Sequence, residues 1–257
     1  MNPASRILAI YDKAMGFPEA PGVTILKLWG SVFGIADEAN HTHEDEITAA
    51  LMALRGEVDL ACARLAEIGC PERLYVGYFN RVRNLASATL LPQDWSSHRR
   101  GLQSDIRLSL EWASWSLPKE EEQLPADDLA ALIAELDAIE QFLTNIDLSP
   151  KLRSFISRQI DLIRSALRHY NISGVAPVHD VLEQAVGAFT IGKDVVVADA
   201  EKSGEEGRGV LKRLTEAIGR IADTADKVDK IRKGGESAIS IGRGFGAAID
   251  GVTKLLT

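Results

Sequence analysis

The chain has 257 residues, 46% of them apolar and 26% charged, with 29 Lys and Arg against 37 Asp and Glu for a formal net charge of −8. That composition belongs to a globular protein and excludes wholesale disorder, a collagen-like repeat and a disulfide scaffold. An acidic total points away from a dedicated nucleic-acid binder, whose domain carries a basic patch.

Helical periodicity dominates from the start. Pro3 to Met15 reads as a helix with Ile7, Leu8, Tyr11 and Met15 inward, and Val23 to Ala36 follows with Leu26, Trp29, Val32 and Phe33. The first half of that second segment, Val23 to Trp29, also fits a short strand. From Ile47 the apolar positions run Leu51, Leu54, Val58, Ala61, Leu65, Ile68, in steps of four and three that place one stripe on one helix face. Thr42 suits its N-cap, Glu44, Asp45 and Glu46 suit the positive first turn, and Gly69 and Pro71 end it. Glu72 to Leu90 and Leu102 to Leu117 continue the pattern, the latter carrying Trp112 and Trp115.

Two strong stripes then lie back to back. Leu129, Leu132, Leu136, Ile139, Leu143 and Ile146 form one; Leu152, Ile156, Ile160, Ile163, Leu167 and Tyr170 form the next, opened by the cap-and-proline pair Ser149-Pro150. The short link between them predicts an antiparallel hairpin. Pro177 to Phe189 reads as a short helix, and Val195 to Val197 as a strand candidate with no partner. The fold class is therefore all-α, a multi-helix bundle of roughly eight to ten helices.

Composition shifts near residue 200. Residues 1–200 hold 18 Lys and Arg against 28 Asp and Glu, a net of −10, and residues 201–257 hold 11 against 9, a net of +2. The glycine-rich run 201–209 reads as a linker between an acidic helical body, 1–200, and an amphipathic tail, 210–257. In the tail, Leu211, Leu214, Ile218, Ile221 and Val228 keep a narrow three-to-four rhythm that suits a partner helix. Gly234-Gly235 interrupts it, and Ala238, Ile241, Phe245, Ala248, Val252 and Leu255 resume it. Gly242, Gly244, Gly246 and Gly251 each cost a helix about 1 kcal/mol relative to Ala, so that last stretch needs a surface to order it: the body, a second copy or a lipid interface. Gly242 and Gly246 have the spacing that lets helices approach closely. The competing reading is that both segments fold back as the last helices of the body.

Candidate chemistry is sparse. His41, His43 and Glu44 form the one dense group of possible metal ligands, set against the plainer reading of an acid-decorated helix start with two loop histidines. Cys62 and Cys70 lie about 12 Å apart along a helix, too far for a bridge, which fits reduced thiols in a cytoplasmic protein. Arg81, Arg83, Arg99, Arg100 and Arg107 fall close in sequence to Trp95, Trp112 and Trp115; the expectation is that the arginines pair with carboxylates and the tryptophans fill the core. The N-terminus lacks the apolar stretch of a signal peptide, and no window of about 18 residues is free of charge, so no spanning helix is expected.

Arg164-Ser-Ala-Leu-Arg-His169 resembles the Arg-x4-His motif of HEPN-type ribonucleases. That resemblance implies an all-α dimer in which Arg164 binds the scissile phosphate and His169 activates the attacking hydroxyl; the competing reading is a solvated helix flank. The run from Leu148 to Gly174 resembles a segment of uncharacterised bacterial helical proteins, which implies only an all-α bacterial protein.

The expectation for function is a non-catalytic interaction protein, with no cofactor, whose tail residues Leu211, Leu214, Ile218, Ile221, Val228 and Phe245 contact a protein partner or a second copy. The alternatives are a membrane-active effector, peripheral at a lipid surface through 236–257, and a nuclease using Arg164 and His169.

Overall fold

A computed structural model describes residues 1–35, 42–102 and 104–229. Among the described residues the fold is all-α, with eleven helices and no strand. The chain divides into two compact units, Met1–Lys119 with Asn171–Gly174, and Glu120–Tyr170 with Val175–Thr257.

The first unit is built from α1 (Pro3–Gly16), α2 (Ile25–Phe33), α3 (Thr42–Glu67), α4 (Val76–Leu85), the short α5 (Trp95–Arg99) and α6 (Ser104–Ser116). Helix α1 packs against α2, α3 and α6, and α4 lies against α3 and α6. Its core gathers Ile7, Trp29, Leu54, Phe79, Trp95 and Ile106. Polar groups tie the short helices. The Asn2 side chain accepts from Ser5 N at 2.9 Å to cap α1, and its Nδ2 donates to the Ser114 and Leu117 carbonyls at 2.9 and 3.0 Å. One side chain thus satisfies free groups at the start of one helix and the end of another. Deeper in, Arg6 of α1 and Glu57 of α3 are both buried; Arg6 Nε donates to Glu57 Oε1 at 2.6 Å.

The segment from Val23 is helix, not strand. Thr24 caps α2, accepting from Lys27 N at 3.3 Å, and only a single bridged pair, Thr24 with Asp94, is extended. Ile25 N donates to Gln93 O and Trp95 N to Val23 O, each at 2.9 Å. The region 72–90 is also broken where the sequence reads as one helix: 3-10 turns Glu72–Leu74 and Ala88–Leu90 flank α4.

The second unit contains four long helices, α7 (Ala126–Thr144), α8 (Pro150–Arg168), α10 (Ala176–Lys202) and α11 (Gly204–Val228), and between α8 and α10 the chain makes the one-turn α9 (Tyr170–Ser173). Helix α7 packs on α8, α8 on α10, α10 on α11 and α11 on α7, so the four close a ring around one apolar core. Ser149 caps α8 through Leu152 N at 3.1 Å, with Pro150 in the first turn, as the sequence predicts. Arg153 donates to the Leu143 and Ile146 carbonyls at the end of α7, where a cation meets the negative end of a helix.

A short strap, 120–124, binds three helix ends. Glu121 Oε2 accepts from Val175 N at 2.8 Å before α10, Glu122 N donates to Val228 O at 3.0 Å after α11, and Leu124 N donates to the Tyr170 hydroxyl at 2.9 Å after α8. Val195 to Val197 sits inside α10, which runs 27 residues.

Residues 201–209 are helical except at the turn between α10 and α11. Ser203 closes α10, and Gly204 takes φ 68°, the left-handed backbone that glycine adopts at little cost. At Gly207 the two helices nearly touch: a Cβ there would stand 2.6 Å from both Ala200 O and Ser203 Cβ. The glycine signal that reads as a flexible linker marks a close approach instead.

Candidate interaction surfaces

The tail stripe 211–228 is the inner face of α11. Leu211, Leu214 and Ile218 are fully buried, and Ile221 and Val228 nearly so, in the core of the second unit. This is the folded-back alternative of the sequence reading. Arg213 on the same helix lies 4.4 Å over the Phe142 ring of α7, and Arg220 pairs with Glu135 of α7, its Nε donating at 3.0 Å. Phe245 lies outside the described residues.

The metal and nuclease candidates are held by structural contacts. His43 packs its ring on α2, with Cε1 3.4 Å from the point where a Cβ would stand on Gly30, while Glu44 lies in the first turn of α3 and His41 is outside the described residues. No group of three or more metal-ligating side chains forms among the described residues. The Arg164 guanidinium, 11% exposed, meets Asp137 at 3.0 Å, Glu140 at 2.6 Å and Asp161 at 3.3 Å. Three carboxylates already neutralise the charge that a phosphate would need. His169 is the C-cap of α8. His179, which the sequence reading does not single out, sits buried with its Nε2 3.5 Å from Asp229.

Four of the five arginines singled out in the sequence pair with carboxylates: Arg81 with Asp105 at 3.4 Å, Arg83 with Asp59 at 3.0 Å, Arg99 with Glu19 at 3.0 Å and Arg107 with Asp12 at 2.9 Å. The tryptophans divide. Trp95 is fully buried, Trp112 is half-buried and Trp115 is 85% exposed. Both cysteines are free thiols, and burial pushes the Cys62 thiol up to about 11, aided by Asp59 and opposed by Arg83.

Two apolar surfaces remain. In the first unit, Ile106, Leu110 and Ala113 of α6 and Leu117 just after it enter the core, while Leu108 and Trp115 stand exposed on the same side as half-buried Trp112, which packs partly on the core. Leu108 is 66% exposed and Trp115 85%. In the second unit, α8 and α10 border a groove of about 550 Å³ lined by Lys151, Phe155, Arg158, Gln159, Leu162 and Ala188 among others. Beside it on α10, Ile191 is 91% exposed and Val195 59%. The signal that finds both surfaces is a helix with two apolar stripes where one suffices for the core: 106–110–113–117 and 108–112–115 on α6, 178–182–185–189 and 188–191–195 on α10.

No family model, no curated protein and no solved structure matches the chain.

Proposed function

We propose that the chain is a non-catalytic helical interaction protein that associates with a second copy of itself through α6. The observation that supports this reading is Trp115, 85% exposed, one turn from half-buried Trp112 and two turns from exposed Leu108 on a helix whose other face already serves the core. Large aromatic and aliphatic side chains held in water on one face are the usual anchors of an interface. A two-fold contact uses the same patch twice, and antiparallel pairing of this stripe sets Trp115 of one copy on Leu108 of the other.

The stripe is small beside the roughly 800 Å² per partner of a standard stable interface, so the association is weak and concentration-dependent. Sedimentation equilibrium over a concentration series tests it. The average mass is expected to rise with concentration in the wild-type chain and to stay at one chain in Trp115→Asp, which leaves the core untouched. A wild-type mass that stays at one chain throughout, or a Trp115→Asp variant that associates equally well, rejects the reading.

A further inference from the structure

The groove between α8 and α10 lies within the second unit, and its two sides differ in chemistry. Lys151, Ser154 and Arg158 follow steps of three and four along α8 and form one row. Phe155 and Leu162, two turns apart, form a second row beside it and nearer α10, where Phe155 meets Phe189 edge-on at 4.9 Å. Ala188 of α10 continues the apolar side. A cationic wall therefore runs alongside an apolar floor for about 16 Å, the helical rise from 151 to 162.

No Asp or Glu lines this groove, in a chain whose net charge is −8. Lys151 and Arg158 form no ion pair among the described residues. Other arginines of α8 are committed: Arg153 to the carbonyls that end α7, and Arg164 to Asp137, Glu140 and Asp161. Lys151 and Arg158 stand about 10 Å apart along the axis, so each has to lean only about 5 Å to meet one anion over Ser154, within the reach of their long stems. The guanidinium fork matches the oxygens of a carboxylate or phosphate, and the Ser154 hydroxyl adds a donor between the two charges. The other lining side chains, buried Gln159 and exposed Gln184, are neutral, which confines the positive charge to one wall. The volume, about 550 Å³, is that of a small-molecule site, and such sites form between the helices of bundles. A helix 16 Å long and about 10 Å across fills more than twice as much, so the groove seats a slender molecule and not a partner helix.

We propose that the groove binds a small amphipathic anion, a carboxylate or phosphate monoester carried on a slender apolar body. The head sits over Ser154 between Lys151 and Arg158, and the body lies on Phe155, Leu162 and Ala188. The site is separate from the α6 contact and does not rest on it.

Isothermal titration calorimetry of the full chain with decanoate and with decyl phosphate, each below its micelle concentration, tests the proposal. One equivalent is expected to bind, and the tighter of the two names the head group. Affinity is expected to fall about tenfold or more in Lys151→Ala with Arg158→Ala, two exposed side chains whose loss leaves the core intact. Arg208→Ala, which removes an exposed cation of α11, is expected to leave it unchanged. Decanol, which keeps the tail without the charge, and inorganic phosphate, which keeps the charge without the tail, are each expected to bind about tenfold more weakly than decyl phosphate or worse. Amide chemical-shift changes are expected to centre on 150–162 and 184–188. Failure of both amphiphiles to bind overturns the proposal, as does binding of several equivalents, unchanged affinity in the double variant or an equal loss in Arg208→Ala. Decanol or inorganic phosphate binding as tightly as decyl phosphate overturns it too. So does binding only to phosphatidylglycerol vesicles, which assigns the cationic wall to a membrane surface. An unchanged helical circular dichroism spectrum guards against misfolding, and Trp115→Asp leaves the affinity untouched, so this outcome is separate from that of the α6 contact.

Discussion

The two units solve the same problem with different means. The second encloses its core with four long helices whose inner faces are almost wholly Leu, Ile, Val and Ala, and its buried hydrogen bonds from the strap sit at helix ends. The first sets shorter helices and turns around one long helix, α3, and it places an Arg–Glu pair inside the core and an asparagine across two helix termini. Long helices bury enough apolar surface for periodicity alone to set their arrangement, whereas short ones bury less each and rely on directional contacts to fix it.

The sharpest way to break that comparison is Glu57→Ala. Leaving Arg6 charged and buried is expected to cost about 3–5 kcal/mol, seen as a lower urea midpoint and lost exchange protection in α1 and α3. Replacing both partners, Arg6→Met with Glu57→Leu, is expected to cost far less; an equal loss in both variants places the penalty in packing rather than charge. In the second unit Ile218→Ala is expected to cost about 2–5 kcal/mol through the cavity it opens, with exchange protection lost in α7, α10 and α11. A near-neutral result means that the stripe faces a partner and not the core. Gly207→Ala is expected to cost about 1–3 kcal/mol, because its methyl group meets the Ala200 carbonyl, and Gly209→Ala, where a Cβ has open space, is the control that stabilises slightly. The smallest effect is chemical. With its thiol raised to about 11 by burial, Cys62 is thiolate to about one part in a thousand at pH 8. Its alkylation rate, read by peptide mass spectrometry, is expected to climb about tenfold per pH unit from 8 to 10, and a plateau near pH 9 contradicts the burial.

The same contrast explains what was legible in the sequence. Helices α3, α7, α8 and α11 follow from spacing, caps and prolines, and Ser149-Pro150 falls where expected. The divided region 72–90 does not, and neither does the bridged pair Thr24–Asp94, which depends on contact between segments about 70 residues apart. Glycine misleads at 201–209, since the need for flexibility and the need for closeness select the same residue; only Ala200 O beside Gly207 distinguishes them. Aromatic residues mislead similarly. Trp95 and Trp115 look alike in sequence, yet one fills the core and the other faces water, and the second stripe on α6 is the clue that separates them. Arg164 and His169 match a catalytic spacing, but the carboxylates that hold Arg164 come from another helix and from the turn before it.

The strap at 120–124 has a consequence for synthesis. Its three bonds join the beginning of the second unit to positions near 170, 175 and 228, and α7 finds its neighbour α11 only at the far end of the unit. A nascent chain leaving the ribosome can zip α7 onto α8 early, but the ring stays open, with one side of its oily interior wet, until α11 emerges. Translation stalled before residue 228 therefore yields an unfinished bundle that quality-control proteases and chaperones are equipped to recognise.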